Sequence, residues 1–202
     1  MRILTEKEAE EFLEKEGFEV VERKHIEKES EIKKAIDNLG FPIVLKVSGE
    51  KIIHKNKLGG IKTNIENYGE ALKAFIEIKK INYFEGAMIQ KQIKGKEFLL
   101  GIKKTPEFGH VIAFGAGGIF TEKLKDISFR VCSFDKTEAR KMIREIEMAK
   151  NLTNKNVEII EKNLIKLCHL VKKYPKIKEL DINPLIVNQN KAIIVDARIV
   201  FE

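Results

Sequence analysis

The 202-residue chain contains no tryptophan, three tyrosines, four prolines and two cysteines. Cys132 and Cys168 stand far apart in apolar surroundings. That spacing offers neither a disulfide framework nor a Cys-rich metal motif, and it fits a reducing, cytoplasmic compartment. No apolar run is long enough to cross a membrane. The opening stretch MRILTEKEAEEFLEKEG is acidic and amphipathic, unlike the basic-then-apolar order of a secretory signal. Internal repeats and low-complexity tracts are also missing. The net charge is +7, yet no block of Lys and Arg stands alone. Without a basic helix or a stacking platform of aromatics, nucleic-acid binding is the weakest functional class. Charged residues make up 34% of the chain, with Lys and Glu interleaved, which describes a solvated surface and fits a thermophile.

What is present suits one folded chain with a substantial core: 43% of residues are hydrophobic. Thr5 and Glu8 form a capping box that opens a helix, and Gly17 closes it. Short strands are expected at 18–21, 43–47, 61–65, 87–93, 98–102 and 111–114, with an extended stretch at 128–133. Helices are expected at 30–39, 69–81, 136–150 and 157–174, and a hairpin of 179–187 with 192–200 ends the chain. Strands and helices mix without a strict βαβ rhythm, so the class is α+β with largely antiparallel sheets. The GKE turn near Lys96 marks a lobe boundary.

Three regions carry groups suited to chemistry. In FPIVLKVSGEKIIHKNKLGG (41–60), Lys46 lies in an apolar strand. It either snorkels to the surface or meets an anion, and phosphate is the natural one. His54 follows in a polar loop, where a histidine is either simply solvated or nucleophilic. In the closing hairpin, a loop at 188–191 sets Val187 opposite Ala192. Asn183 then faces Asp196, and Asp181 faces Arg198, all on one side of the sheet. Such a face is either solvated, with an Asp181–Arg198 pair, or a set of oxygen ligands for a hard cation such as Mg²⁺. The third region holds FGAGGIF, which matches neither the P-loop nor the dinucleotide-binding glycine pattern. Nearby, Glu97 opens an apolar strand, and Glu122 sits between Phe120 and Leu124. Arg130 can fork onto phosphate or form an ion pair with Asp126 or Glu122.

Taken together, FPIVLKV, IIHKNKLGGIK, the long run from Ile89 through FGAGGIFTEKLKDISFRV, ELDINPLIV and VDARI resemble the β subunits of the ADP-forming acetyl-CoA synthetases, which are ATP-grasp proteins. The order is the family's, and the resemblance spans nearly the whole chain. It implies an ATP-grasp fold of two lobes with ATP or ADP bound between their sheets. The smaller lobe is expected at 19–91 and the larger at 1–18 with 92–202. By the same resemblance, Lys46 contacts nucleotide phosphates, Gln90, Lys91, Gln92 and Ile93 lie along adenine, and Glu97 belongs to the nucleotide pocket. Asn183 and Asp196 hold Mg²⁺, and His54 carries phosphate between sites. A CoA-binding α subunit is the implied partner, in an α2β2 assembly. A succinyl-type acid–thiol ligase subunit and a non-catalytic ATP-grasp module are the alternatives. The family's IIHK loop argues against the first, and retention of Lys46, Glu97, Asn183 and Asp196 against the second.

Overall fold

A computed structural model describes residues 1–49, 51–52, 55–118 and 126–202. Within it the chain divides into two compact units, one of Met1–Val20 with Lys94–Glu202 and one of Val21–Ile93.

The Val21–Ile93 unit contains β2 (Arg23–Ile26), α2 (Ile32–Leu39), β3 (Ile43–Ser48), β4 (Ile61–Ile65), α3 (Tyr68–Ile78) and β5 (Gly86–Lys91). Its sheet runs β2-β5-β3-β4, and every pairing is antiparallel. Ile43, Leu45, Val47, Ala87 and Ile89 point to one face and pack with Ile32, Ile36 and Leu39 of α2 and Phe75 and Ile78 of α3. The register places Lys46 opposite Met88 and Val44 opposite Gln90. Those residues therefore occupy the face away from the helices.

The larger unit contains β1 (Arg2–Ile3), α1 (Glu6–Lys15), β6 (Lys96–Thr105), β7 (Gly109–Ala116), β8 (Ile127–Val131), α4 (Lys136–Arg144), α5 (Asn154–Lys173), β9 (Ile177–Val187), β10 (Ala192–Ile194) and β11 (Ala197–Phe201). Its sheet runs β1-β11-β9-β6-β7-β8, with β10 also paired to β9. The capping box of α1 forms: the Thr5 hydroxyl accepts from the Glu8 amide, and Glu8 accepts from the Thr5 amide at 2.8 Å. Such a cap contributes about 1 kcal/mol. Asp135 and Thr153 cap α4 and α5 in the same way. Phe98 and Phe114 stack at 5.3 Å in a core shared with Leu13, Leu100, Ile112, Met142, Leu164 and Ile182. Burying one such ring contributes about 2–3 kcal/mol.

Three expectations change. Residues 18–21 form no strand, only a bridge from Val20 to Ile194, because Phe18 and Val21 are drawn into core rather than into a ladder. A strand forms instead at Arg23–Ile26, whose sequence RKHI hides it: the strand lies on a sheet edge and is mostly polar. The helix expected at 136–150 stops at Arg144, and Ile146 is extended at φ −87° and ψ 121°. Asp126 terminates it from outside the helix, its carboxylate accepting from the Glu147 and Met148 amides at 2.9 and 3.0 Å.

Candidate functional site

The closing hairpin adopts the parity read from its loop. Val187 pairs with Ala192, and Asp181 with Arg198. The second strand is interrupted at Val195 and Asp196, between β10 and β11. The interruption keeps the register: the Asn183 amide donates to the Asp196 carbonyl at 3.2 Å, and the Val195 amide to the Pro184 carbonyl at 3.3 Å. Asn183 and Asp196 are half-buried, whereas Asp181 and Arg198 are exposed. Ile182 and Leu180 fill the opposite face and are buried in core. Asp181 still holds its proton more tightly than an ordinary aspartate. Partial desolvation on the sheet is the leading cause and the Asp196 carboxylate the second, with Arg198 opposing both.

Glu97 and the glycine pair at the end of β7 join this hairpin. β6 lies between β7 and β9, so the start of β6 and the end of β7 approach the C-terminal part of β9, which carries Asn183. The Gly117 amide donates to the Glu97 carbonyl at 2.9 Å. The Gly118 amide donates to Asn183 Oδ1, also at 2.9 Å. Gly118 has φ +63°, and a Cβ there would stand 1.9 Å from Glu97 Oε2. The positive φ favours glycine, and any Cβ would displace the Glu97 carboxylate from this position. Glu97, Gly118 and Asn183 thus form one constellation, with Asp196 across the strand. Asn183 Oδ1 accepts one hydrogen bond and keeps a second lone pair. The oxygen donors of Asn183 and Asp196 fit a hard cation such as Mg²⁺. Among the described residues no three His, Cys, Asp or Glu side chains gather as a metal site. A cation on this pair would complete its shell from water and phosphate oxygens. Gly118 was not singled out from the sequence; a glycine pair at a strand end was its only signal.

In the Val21–Ile93 unit, Lys46 is 5% exposed, which excludes a snorkelling surface lysine. It shares its sheet face with Met88 and Gln90 on β5 and with Arg23 and His25 on β2. The Gln90 amide is 1% exposed and donates to Met88 Sδ at 3.2 Å. Lys91 is the exposed last residue of β5. Gln92 follows the strand, and its side chain is committed to Asn64: Oε1 accepts from the Asn64 amide and Nε2 donates to Asn64 Oδ1, both at 2.7 Å. Ile93 is half-buried.

His54 lies outside the described residues, as does Glu122. The ends of the 49–60 loop are nevertheless well defined. A Cβ on Gly49 would stand 2.2 Å from the Tyr83 carbonyl, and one on Gly60 would stand 2.4 Å from Val47 Cγ1. Both positions require glycine, which pins the base of the loop against backbone and core. Lys51 lies over the Tyr83 ring at 5.2 Å.

Among the described residues Arg130 pairs with acidic side chains other than Asp126, and Glu122 lies outside those residues. Its guanidinium meets Glu145 at 2.5 Å and Glu138 at 3.3 Å, and the Glu145 hydrogen bond leads in raising its pKa. The partners come from α4 and the residue after it, and sequence distance concealed them. Arg130→Met is expected to destabilise the protein by about 1–3 kcal/mol while leaving nucleotide affinity unchanged. Denaturant unfolding and a nucleotide titration check the two halves of that statement.

A family model of the ATP-grasp domain matches residues 1–201. The β subunit of acetate–CoA ligase (ADP-forming) I from Pyrococcus furiosus is 39% identical over 213 residues, covering 98% of this chain and 92% of that one. The chain belongs to the ATP-grasp family, among the β subunits of the ADP-forming acetate–CoA ligases. Acetate–CoA ligase (ADP-forming) II of Archaeoglobus fulgidus is 36% identical over 98% of this chain, which spans 30% of that longer protein. Acetyl-coenzyme A synthetase 1 of Ca. Korarchaeum cryptofilum has the same fold. Its structure with coenzyme A, Ca-AMPCP and HgCl+ superposes with TM-score 0.91 at 31% identity, covering 100% of this chain and 94% of that one. Its structure with coenzyme A and Mg-AMPPCP, in which a phosphohistidine segment points towards the nucleotide site, gives 0.84 at 30% identity, covering 99% of this chain and 93% of that one.

Proposed function

We propose that this chain is the nucleotide-binding β subunit of an ADP-forming acyl-CoA synthetase of the acetate–CoA ligase type. The enzyme converts acyl-CoA, ADP and phosphate into acid, CoA and ATP. The observation that carries this reading is the relationship to the Pyrococcus furiosus β subunit across nearly the full length of both chains. A β subunit implies an α partner. We take that partner to bind CoA, in an α2β2 assembly; the Archaeoglobus fulgidus relative, of which this chain spans 30%, is long enough to hold further domains in the same chain.

Each residue then has a task its surroundings suit. Lys46, buried on its sheet, binds nucleotide phosphates as a point charge. Gln90, Lys91, Gln92 and Ile93 line the adenine. Glu97 orients the nucleotide, held in place by the Gly118 turn. Asn183 and Asp196 hold Mg²⁺ with their oxygens. Bound Mg²⁺ neutralises charge on the transferring phosphoryl group. His54 offers a ring nitrogen as nucleophile for the phosphoryl group arriving from the α subunit. Phosphoryl transfer depends on positioning and charge neutralisation, so a lysine, a histidine and two metal ligands are an adequate set.

Calorimetric titration of the chain with ADP, with and without Mg²⁺, tests the nucleotide half of this reading. Binding should require no α subunit and should strengthen with Mg²⁺. Gly118→Ala would drive a methyl group into Glu97 and force an L-residue into left-handed backbone. It is expected to weaken ADP binding about tenfold or more and to cost about 1–2 kcal/mol of stability. Unchanged ADP affinity in Gly118→Ala would separate Glu97 from the nucleotide.

A further inference from the structure

β4 carries a bulge. Its register against β3 slips between the Leu45–Lys62 and Ile43–Ile65 pairs, where β4 advances three residues and β3 two. Such a bulge leaves a residue outside the ladder. Asn64 lies within it at φ +56°, in left-handed backbone that asparagine tolerates better than most residues. The Asn64 amide donates to Gln92 Oε1, and Asn64 Oδ1 accepts from Gln92 Nε2, both at 2.7 Å. Asn64 stands on an edge strand of the β2-β5-β3-β4 sheet, whereas Gln92 follows β5. The pair therefore reaches across the line of β3. The Gln92 amide donates to the Pro42 carbonyl at 2.9 Å, and the Lys91 amide to the Glu22 carbonyl at 3.0 Å.

We propose that Asn64 is a positioning residue for nucleotide binding. Its bracket with Gln92 holds residues 91–93 in place for adenine, and Gln92 serves the base through that placement rather than through a side-chain hydrogen bond. The inference rests on the adenine-lining role proposed above for residues 90–93. Both polar ends of the Gln92 side chain are turned onto β4, and its backbone amide is given to Pro42. To read a base edge, that side chain would first have to give up two short hydrogen bonds and leave Asn64 unsatisfied, which is costly.

Position and exposure point away from a purely structural clamp. Asn64 is exposed and Gln92 half-buried, and neither belongs to the apolar core of this unit. The bracket sits instead where the chain leaves the Val21–Ile93 unit. Fixing that segment before a ligand arrives lowers the ordering cost of binding. The bulge suits this task, because it turns both the amide and the side chain of one residue onto Gln92. A ladder residue would have spent its amide on the neighbouring strand or on solvent.

The test is calorimetric titration of the full chain with ADP and Mg²⁺. The temperature is one at which circular dichroism shows every variant folded, so that lost stability alone does not move the result. Asn64→Gly keeps the left-handed backbone and the amide but removes the side-chain acceptor, whereas Gln92→Ala removes the whole bracket. ADP binding is expected to weaken about threefold or more in Asn64→Gly and about tenfold in Gln92→Ala. The double variant should bind no more weakly than Gln92→Ala, since both changes dismantle one bracket. Asn64→Asp keeps an oxygen for Gln92 Nε2 and should retain most of the affinity. Amide hydrogen exchange at Asn64 reads the bracket without nucleotide and should accelerate in Gln92→Ala. The proposal is overturned by losses that add in the double variant, by a loss in Gln92→Ala with none in Asn64→Gly, by unchanged affinity in both, or by unchanged exchange at Asn64. Absence of ADP binding by the unaltered chain would remove the nucleotide reading itself and this inference with it.

Discussion

Replacing His54 by alanine is expected to lower ATP formation in the presence of the α subunit by roughly 10³–10⁶-fold, while ADP binding to the chain alone changes little. The split follows from the task proposed for this side chain. A nucleophile that carries a phosphoryl group is used once per turnover and makes no necessary contact with resting nucleotide. Surrounding charge supports the assignment: Lys51, Lys55 and Lys57 flank the position, and cationic neighbours favour a phosphorylated ring. Gly49 and Gly60, on either side of His54 in sequence, each sit where a Cβ would strike Tyr83 or Val47. Rapid-quench measurement with labelled phosphate gives a direct readout. Label should appear on the unaltered chain and be absent from His54→Ala. Full transfer by the alanine variant would remove His54 from the reaction.

Asp196→Ala should be nearly as damaging. We expect kcat/KM for ATP formation to fall roughly 10²-fold or more, with half-saturating Mg²⁺ raised by a comparable or smaller factor. The hairpin register supports this expectation, because it sets Asp196 directly across from Asn183. Asp196→Asn keeps an oxygen but loses the charge, and should fall between the two. The Asp181 carboxyl provides an internal check on the electrostatics. Its folded pKa is raised, so the folded state binds the proton more tightly than the unfolded one. That contribution to stability declines as pH rises above the usual aspartate range. Removing the Asp196 carboxylate takes away the second cause of that shift. The Asp181 pKa should therefore move down in Asp196→Ala, a change that NMR titration can follow. Unchanged Mg²⁺ dependence in Asp196→Ala would move the metal elsewhere.

How much of this was legible in the chain depended on distance along it. The hairpin was readable because alternation is strict and its loop is short: once Val187 faced Ala192, the pairing of Asn183 with Asp196 followed. The break at Val195 and Asp196 was not readable, since a strand interruption that preserves register leaves the pattern intact. Helix starts were visible where a cap sits beside the helix, as at Thr5. The end of α4 was invisible because Asp126, which terminates it, lies on the far side of β8. Arg130 had Asp126 as a plausible local partner and pairs instead, among the described residues, with Glu138 and Glu145, supplied by the packing of α4 against β8. Lys46 looked equally suited to surface and interior until its burial was known. The setting of Gly118 against Glu97 is a product of tertiary structure alone. The roles of Gln90 and Glu97 came from family resemblance, and geometry added their settings: a buried strand for Gln90 and a glycine turn for Glu97.

The most direct test of the account is reconstitution with the cognate α subunit, following ATP formation from acetyl-CoA, ADP, phosphate and Mg²⁺. ATP should appear only when both chains are present, and it should cease when Mg²⁺ is removed. A chain that binds ADP yet forms no ATP from any acyl-CoA in the presence of that α subunit would contradict the account and mark it as a nucleotide-binding module without turnover.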